Sequence, residues 1–234
     1  MLDFLDKAKK ELNALVMYDE NREALIKECD KAYKEAEKLA KALSEKRRAT
    51  SSKFADKVCE EMAFLDMPNV KLVVVQESCE LNSLGCDNIE FLISTNPGEP
   101  PKPISKIASG GELSRMMLAV KNVLSDKDDI DTLIFDEVDT GISGSAAQKV
   151  GLKLREVSKS RQVLCVTHLA QIAAMGNSHF KISKSVRDEK TFTKVEELDH
   201  EGRKQELARI IGGTEMTKAS LDYAEEMLRA GENI

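Results

Sequence analysis

The sequence contains no tryptophan, and aromatic residues of all kinds make up only 4% of its 234 residues. Without large rings, the core must be built from Leu, Ile, Val, Met and Ala. No apolar run approaches the roughly 20 residues that a membrane-spanning helix needs, which excludes that class and predicts no membrane partner. The opening segment MLDFLDKAKKELNAL carries acids and lysines throughout, unlike a signal peptide, so we expect a cytoplasmic protein.

The chain also has few cysteines and no excess of positive charge. The five cysteines are odd in number and include no C-x-x-C pair, which argues against a disulfide framework and a metal site. A net charge of −6 argues against a nucleic-acid-binding face spread over the whole surface. The basic stretch Glu45–Lys53 is compatible with contact to DNA phosphates, but a solvated helix face is the favoured interpretation.

Residues 1–67 contain neither glycine nor proline and are rich in good helix formers. Small or apolar residues recur there at alternating intervals of four and three, the spacing of a coiled-coil seam: Leu25, Cys29, Ala32, Ala36, Leu39 and Leu43. A break at Asp19–Asn21 would separate a short helix from a longer one. An amphipathic helix in a bundle is one interpretation; one arm of a coiled coil is favoured, because so long a helix needs a partner.

The character of the sequence changes after residue 67, which predicts a second domain at 68–234. Val70–Val75 and Ile89–Ser94 are expected to be strands, and Asn96–Pro103 a rigid linker. Beyond residue 108, short apolar strands alternate with helices, and the chain closes with a hairpin and two helices. This order predicts an α/β fold, with a mainly parallel sheet covered by helices on both faces.

Three motifs follow one another in this second domain. Ser109–Arg115 reads SGGELSR, and a serine with two bare backbone amides at a helix start suits an anion. Thr132–Asp139 is an apolar strand that ends in Asp136 and Glu137. Val163–His168 is another apolar strand, followed by a histidine. Because ligands of open α/β sheets bind at the carboxyl ends of strands, these acids and the histidine are expected to share one crevice.

Each motif taken singly has an ordinary explanation: a charged turn, a structural histidine or a helix cap. Taken together and in this order, they resemble the ATP-binding cassette superfamily. Ser109, Gly110, Gly111 and Glu112 fit its signature motif. Asp136 and Glu137 fit its Walker B aspartate and catalytic glutamate, and His168 fits its switch histidine.

The segments around these motifs, among them IFDEVDTGISG (Ile134–Gly144) and VTHLAQIAA (Val166–Ala174), resemble one family more specifically. This is the RecN family of bacterial DNA double-strand-break repair ATPases, which are related to SMC and Rad50 proteins. That resemblance implies the C-terminal lobe of a split ATPase head, preceded by the returning arm of a coiled coil. No glycine in the chain is followed by lysine, so the G-x-x-x-x-G-K-[ST] phosphate loop is missing. The resemblance assigns that loop to a separate N-terminal lobe, the first expected partner.

The resemblance also implies how the residues would act. ATP would lie between two heads, with Asp136 serving Mg²⁺ through water, Glu137 the attacking water and His168 the γ-phosphate. Ser109, Gly110, Gly111 and Glu112 would complete the site of a second head in trans. DNA would be a partner of the complete protein, which would associate with the nucleoid. Because the phosphate loop is missing, the chain alone is expected to be an inactive part of an ATPase.

Two departures and several alternatives accompany this interpretation. Ser143 stands where transporter ATPases have an aspartate, and no glutamine can be assigned to the Q-loop. A non-catalytic dimerisation module of an SMC-like protein and a transporter ATPase subunit are the rival functions. For Arg115, a local salt bridge is favoured over a role in steering phosphate. We expect the double-glycine segment to lie apart from the acids, facing another molecule.

Overall fold

A computed structural model describes residues 2–106, 109–125, 127, 129–187, 190–213 and 216–232. Its helices are α1 (Leu2–Phe64), α2 (Gly110–Val123), α3 (Gly144–Val157), α4 (Ala170–Ala173), α5 (His200–Gly212) and α6 (Lys218–Glu232). Its strands are β1 (Lys71–Asn82), β2 (Gly85–Ser94), β3 (Lys102–Pro103), β4 (Thr132–Phe135), β5 (Gln162–Cys165), β6 (Phe180–Arg187) and β7 (Lys190–Glu197). Within these residues, no helix is both long and apolar enough to cross a membrane.

The chain divides into two compact units, and the first comprises Met1–Ser52 and Val74–Glu90. A buried carboxylate joins its two segments: Asp87 accepts hydrogen bonds from Ser44 Oγ at 2.7 Å and Arg47 Nη1 at 3.2 Å. The backbone of α1 is helical without interruption through 19–21, so the break expected there is absent. Leu25 and Leu39 of the predicted seam are each 65% exposed, so the described part of this unit leaves the seam uncovered.

The second unit comprises Lys53–Val73 and Phe91–Ile234 and holds most of the core. The end of α1 and the residue after it contribute side chains that are fully buried: Val58, Met62 and Leu65. A further cluster forms where α4, α5 and α6 meet, and its buried members are Ala170, Ala174, Leu207, Ala208, Ala224 and Leu228. Leu, Val, Met and Ala therefore carry this core, as expected from the scarcity of aromatic residues.

The predicted α/β fold is confirmed, and its parallel part is the pair β4–β5. The other two sheets are antiparallel in the described pairings: β2 with β3, and β6 with β7. The β4–β5 sheet is covered on one face rather than on two. Leu133 and Phe135 are buried, whereas Ile134 on the opposite face is 71% exposed. The division at residue 67 into an arm and a head lobe stays a prediction.

Candidate nucleotide-hydrolysis site

Strands β4 and β5 end at the same edge of their sheet. They pair in parallel, with Phe135 opposite Cys165, and the Val166 N–H donates to the Phe135 carbonyl at 2.9 Å. Asp136 follows β4 directly, and His168 follows β5 after a short extension. The sequence placed both residues at the carboxyl ends of strands, and the parallel register brings those ends side by side.

Asp136 is exposed at this edge, and its backbone is fixed by α2. Its carbonyl accepts a hydrogen bond from Ser114 Oγ at 2.7 Å, and its Oδ1 accepts one from the Glu137 N–H at 2.9 Å. Its Oδ2 accepts no hydrogen bond from the described residues. An exposed carboxylate of this kind suits Mg²⁺, which is usually bound through one or two carboxylates, water and substrate phosphates.

Glu137 adopts an unusual backbone conformation and lies against the signature segment of its own chain. Its φ angle is 58°, in the left-handed region that non-glycine residues seldom occupy. A methyl group added at Gly110 would overlap Glu137 Oε2. The expectation that the double-glycine segment lies apart from the acids is therefore wrong, because α2 packs directly beside the loop that follows β4.

Gly111 and Arg115 show how α2 is held against that loop. A Cβ at Gly111 would lie 2.7 Å from the Thr140 carbonyl oxygen, so only glycine permits this approach. Buried Arg115 donates from Nη1 to the carbonyls of Thr140 at 2.8 Å and Val138 at 3.3 Å. Among the residues that the structure describes, Arg115 forms no salt bridge, so the interpretation favoured from the sequence is wrong there and backbone carbonyls are the acceptors. Burial lowers the pKa of this guanidinium.

Ser109 is the N-cap of α2, and its Oγ accepts a hydrogen bond from the Glu112 N–H at 3.4 Å. Glu112 and Arg115 line a cavity of about 420 Å³ that also includes Ser143. None of Asp136, Glu137 and His168 lines this cavity. This cavity therefore borders on the signature residues Glu112 and Arg115 but not on the acids and the histidine at the strand ends.

The sequence-based reasoning missed Asp139, which the structure connects to the histidine. This carboxylate is 3% exposed, and its Oδ2 lies 3.0 Å from His168 Nδ1. The same oxygen accepts hydrogen bonds from Thr167 Oγ1 at 2.6 Å and from the His168 N–H at 2.9 Å. The third acid in the segment DEVD was the available signal, but only the parallel register shows that it reaches the loop after β5.

No group of three or more His, Cys, Asp or Glu side chains within the described ranges is arranged to hold a metal ion. This is compatible with a Mg²⁺ site that uses a single protein carboxylate and draws its other ligands from water and phosphate. Cys165, near the same edge, is no ligand candidate in its neutral thiol form. Burial, together with the charges of Asp139 and Asp136, raises its pKa to about 12.

Comparison with known proteins identifies the family. The DNA repair protein RecN of Bacillus subtilis is 36% identical over 250 residues, an alignment that covers 100% of this chain and 43% of that protein. RecN of Haemophilus influenzae is 42% identical, covering 95% of this chain and 40% of that protein. The chain belongs to the RecN family. It spans about two-fifths of the length of these RecN relatives.

The fold of this RecN-family chain agrees with a solved head domain. The crystal structure of the Smc head domain with a coiled coil and joint from Pyrococcus yayanosii superposes with a TM-score of 0.50 at 21% identity. The match covers 69% of this chain and 29% of that one, and at this identity it shows the fold alone. No protein-family model matches the chain. The alignment with the Bacillus RecN spans the whole chain, so every motif residue lies within it.

Proposed function

We propose that this chain is the C-terminal part of a RecN-type ATPase that acts in DNA double-strand-break repair. In this proposal it supplies Walker B, the switch histidine and the signature motif to an ATP site. The observation that carries the proposal is the parallel pair β4–β5, which delivers Asp136 and the loop containing His168 to one edge. The signature segment lies beside the loop that follows β4, because Gly111 permits a close approach to Thr140.

The open face of the β4–β5 sheet supports the proposal that a further lobe completes the head. Three apolar side chains are exposed on these strands and just beyond them: Ile134 at 71%, Val166 at 53% and Leu164 at 44%. Because these side chains are already partly covered, burying them completely is favourable by up to about 1–2 kcal/mol each. The RecN relatives are more than twice as long as the aligned segment, so they contain enough additional chain to cover this face.

In the completed site, Asp136 would hold Mg²⁺, which neutralises charge on the phosphates when bound. Glu137 would orient and deprotonate the attacking water, and His168 would contact the water or the γ-phosphate. For this role the Glu137 carboxylate has to leave Gly110. That movement would also clear the space beside Gly110. The Gly110 and Gly111 amides, together with Ser109, are proposed to contact the γ-phosphate bound by a second head. Glu112 would belong to the same surface.

The missing phosphate loop determines what the chain does alone. Without the backbone amides and lysine that cradle the β- and γ-phosphates, most ground-state affinity for nucleotide is lost. We therefore expect weak ATP binding and negligible hydrolysis from this chain by itself. The missing lobe, the second head and DNA are partners of the complete protein in this proposal, and the nucleoid is its proposed location.

Reconstitution tests the proposal. The chain is mixed with the separately expressed N-terminal part of a RecN relative, and ATP hydrolysis is followed with and without DNA. Activity should appear only with both parts and fall by at least about a hundredfold in Glu137→Gln, as expected for loss of a general base. Asp131→Asn is the matched control, because this exposed residue lies before β4, at the opposite end of the strand.

The outcomes separate the two candidate functions. Full activity in Glu137→Gln would contradict the catalytic assignment. Binding of the two parts with no hydrolysis, even in the unmodified chain, would favour the non-catalytic dimerisation module of an SMC-like protein. The uncovered seam of α1 is the observation that supports this second function, because Leu25 and Leu39 are exposed there and available for association with another helix.

A further inference from the structure

The hydrogen bonds around Asp139 restrict which nitrogen of His168 carries the proton. Asp139 Oδ2 faces three groups: Thr167 Oγ1 at 2.6 Å, the His168 N–H at 2.9 Å and His168 Nδ1 at 3.0 Å. An ionised carboxylate only accepts hydrogen bonds. A lone pair on Nδ1 pointing at this oxygen would be repelled, so Nδ1 must carry a hydrogen.

The direction of the Thr167 hydrogen bond supports the same arrangement. Thr167 Oγ1 accepts a hydrogen bond from the Leu169 N–H at 3.1 Å, which leaves its own proton free for Asp139. The loop after β5 therefore offers only donors to the Asp139 carboxylate. Asp139 is 3% exposed, so little solvent competes for this oxygen, whereas the His168 side chain is 72% exposed.

We propose that Asp139 is a positioning residue that fixes neutral His168 as the Nδ1–H tautomer and leaves Nε2 as an outward-facing acceptor. A neutral imidazole in this form accepts a hydrogen bond from a group that carries a proton. Its partner would then be the attacking water, whereas a fully ionised phosphate oxygen could be contacted only by the imidazolium. The use of Nε2 as an acceptor during hydrolysis rests on the proposed function. The assignment of the tautomer is independent of it, because it follows from the contacts of Asp139 alone.

The tautomer can be measured on the chain as it is. Histidine is labelled with ¹⁵N, and long-range proton–nitrogen correlations are recorded at a pH where the imidazoles are neutral. The chain has three histidines, and the signal that disappears in His168→Gln assigns the one of interest. We expect a protonated Nδ1 and an unprotonated Nε2. A spectrum showing His168 protonated on Nε2 would overturn the proposal.

Two variants test whether Asp139 sets the tautomer of His168. Asp139→Ala should lower the ratio of the Nδ1–H to the Nε2–H form by about tenfold, the size expected for losing a hydrogen bond to a charged group. Thr167→Val removes a neighbouring donor but keeps the carboxylate, so the Nδ1–H form should persist. Retention of that form in folded Asp139→Ala would show that Asp139 does not set it.

The amide spectrum checks that each variant is folded. If Asp139→Ala fails to fold, the spectrum of the unmodified chain still tests the proposal. His168 protonated on Nε2 in that spectrum would reject it directly. The result is also distinct from a failure of the proposed function. A reconstituted protein with no ATPase activity would reject that function, whereas the tautomer of His168 is read without nucleotide or partner.

Discussion

The two adjacent glycines of the signature segment should respond differently to the same substitution. At Gly111, an added Cβ would lie 2.7 Å from the Thr140 carbonyl oxygen and 3.0 Å from Thr140 Cβ. At Gly110 it would meet only the end of the exposed Glu137 side chain, which can rotate away. Gly111→Ala is therefore expected to strain the backbone, and Gly110→Ala only to displace a carboxylate.

The magnitude follows from two opposing effects. Overpacking against a backbone group costs about 1–3 kcal/mol. Replacing glycine by alanine within a helix gains up to about 1 kcal/mol. The net destabilisation of Gly111→Ala is then up to about 2 kcal/mol, which lowers the melting temperature by up to roughly 4–8 °C for a domain of this size. Relative to a Gly→Ala change that meets no backbone group, the deficit is about 1–3 kcal/mol.

Thermal unfolding followed by circular dichroism or calorimetry measures this difference. Gly212→Ala is the matched control, because Gly212 is helical and its nearest contacts to an added Cβ are ordinary ones at 3.6 Å, to Ser220. We expect Gly212→Ala and Gly110→Ala to melt at or slightly above the temperature of the unmodified chain, because an added Cβ meets no backbone group at either position and alanine favours the helix. A Gly111→Ala variant as stable as Gly212→Ala would refute the packing of α2 against Thr140.

Three further predictions concern an ion pair, the reactivity of a cysteine and the affinity of the chain for ATP. Lys153 contacts Glu61 at 2.8 Å; burial alone would lower the lysine pKa, but hydrogen bonds to carboxylates raise it. Lys153→Met should cost about 1–2 kcal/mol at neutral pH in urea unfolding, and this difference should vanish as the pH rises through the raised pKa. Cys165, with a pKa of about 12, should be alkylated far more slowly at neutral pH than exposed Cys79, as peptide mass mapping would show; equal rates would contradict its burial. Calorimetric titration with ATP should give no micromolar affinity for the isolated chain, and such an affinity would contradict the role assigned to the missing phosphate loop.

Much of the fold was readable from patterns confined to short segments. The helix α1 was expected because residues 1–67 lack glycine and proline, and strands β4 and β5 were expected from short apolar runs between helices. The break at Asp19–Asn21 was not found, because local polarity alone does not interrupt a helix without a residue that weakens it. The expectation of a sheet covered on both faces went too far for this chain, since Ile134 stands exposed.

The residues of the candidate site could be selected from the sequence, but their contacts with one another could not. Asp136, Glu137 and His168 were selected from motif order and strand ends, and their roles stay predictions. The contact between Gly110 and Glu137 could not be predicted, because it depends on how α2 approaches a loop more than 20 residues away along the chain. Arg115 was misjudged for the same reason: its acceptors are backbone carbonyls, which carry no sequence signal.

The sequence by itself determined the order of helices and strands, the motif residues and the lack of a phosphate loop, because each depends on nearest neighbours or on residue identity alone. Tertiary structure decided the contacts that join distant segments. Only the parallel register of β4 and β5 brings Asp139 to His168, and only the approach of α2 to Thr140 explains why glycine is needed at position 111. Such contacts depend on the packing of whole elements, which no single segment of sequence specifies.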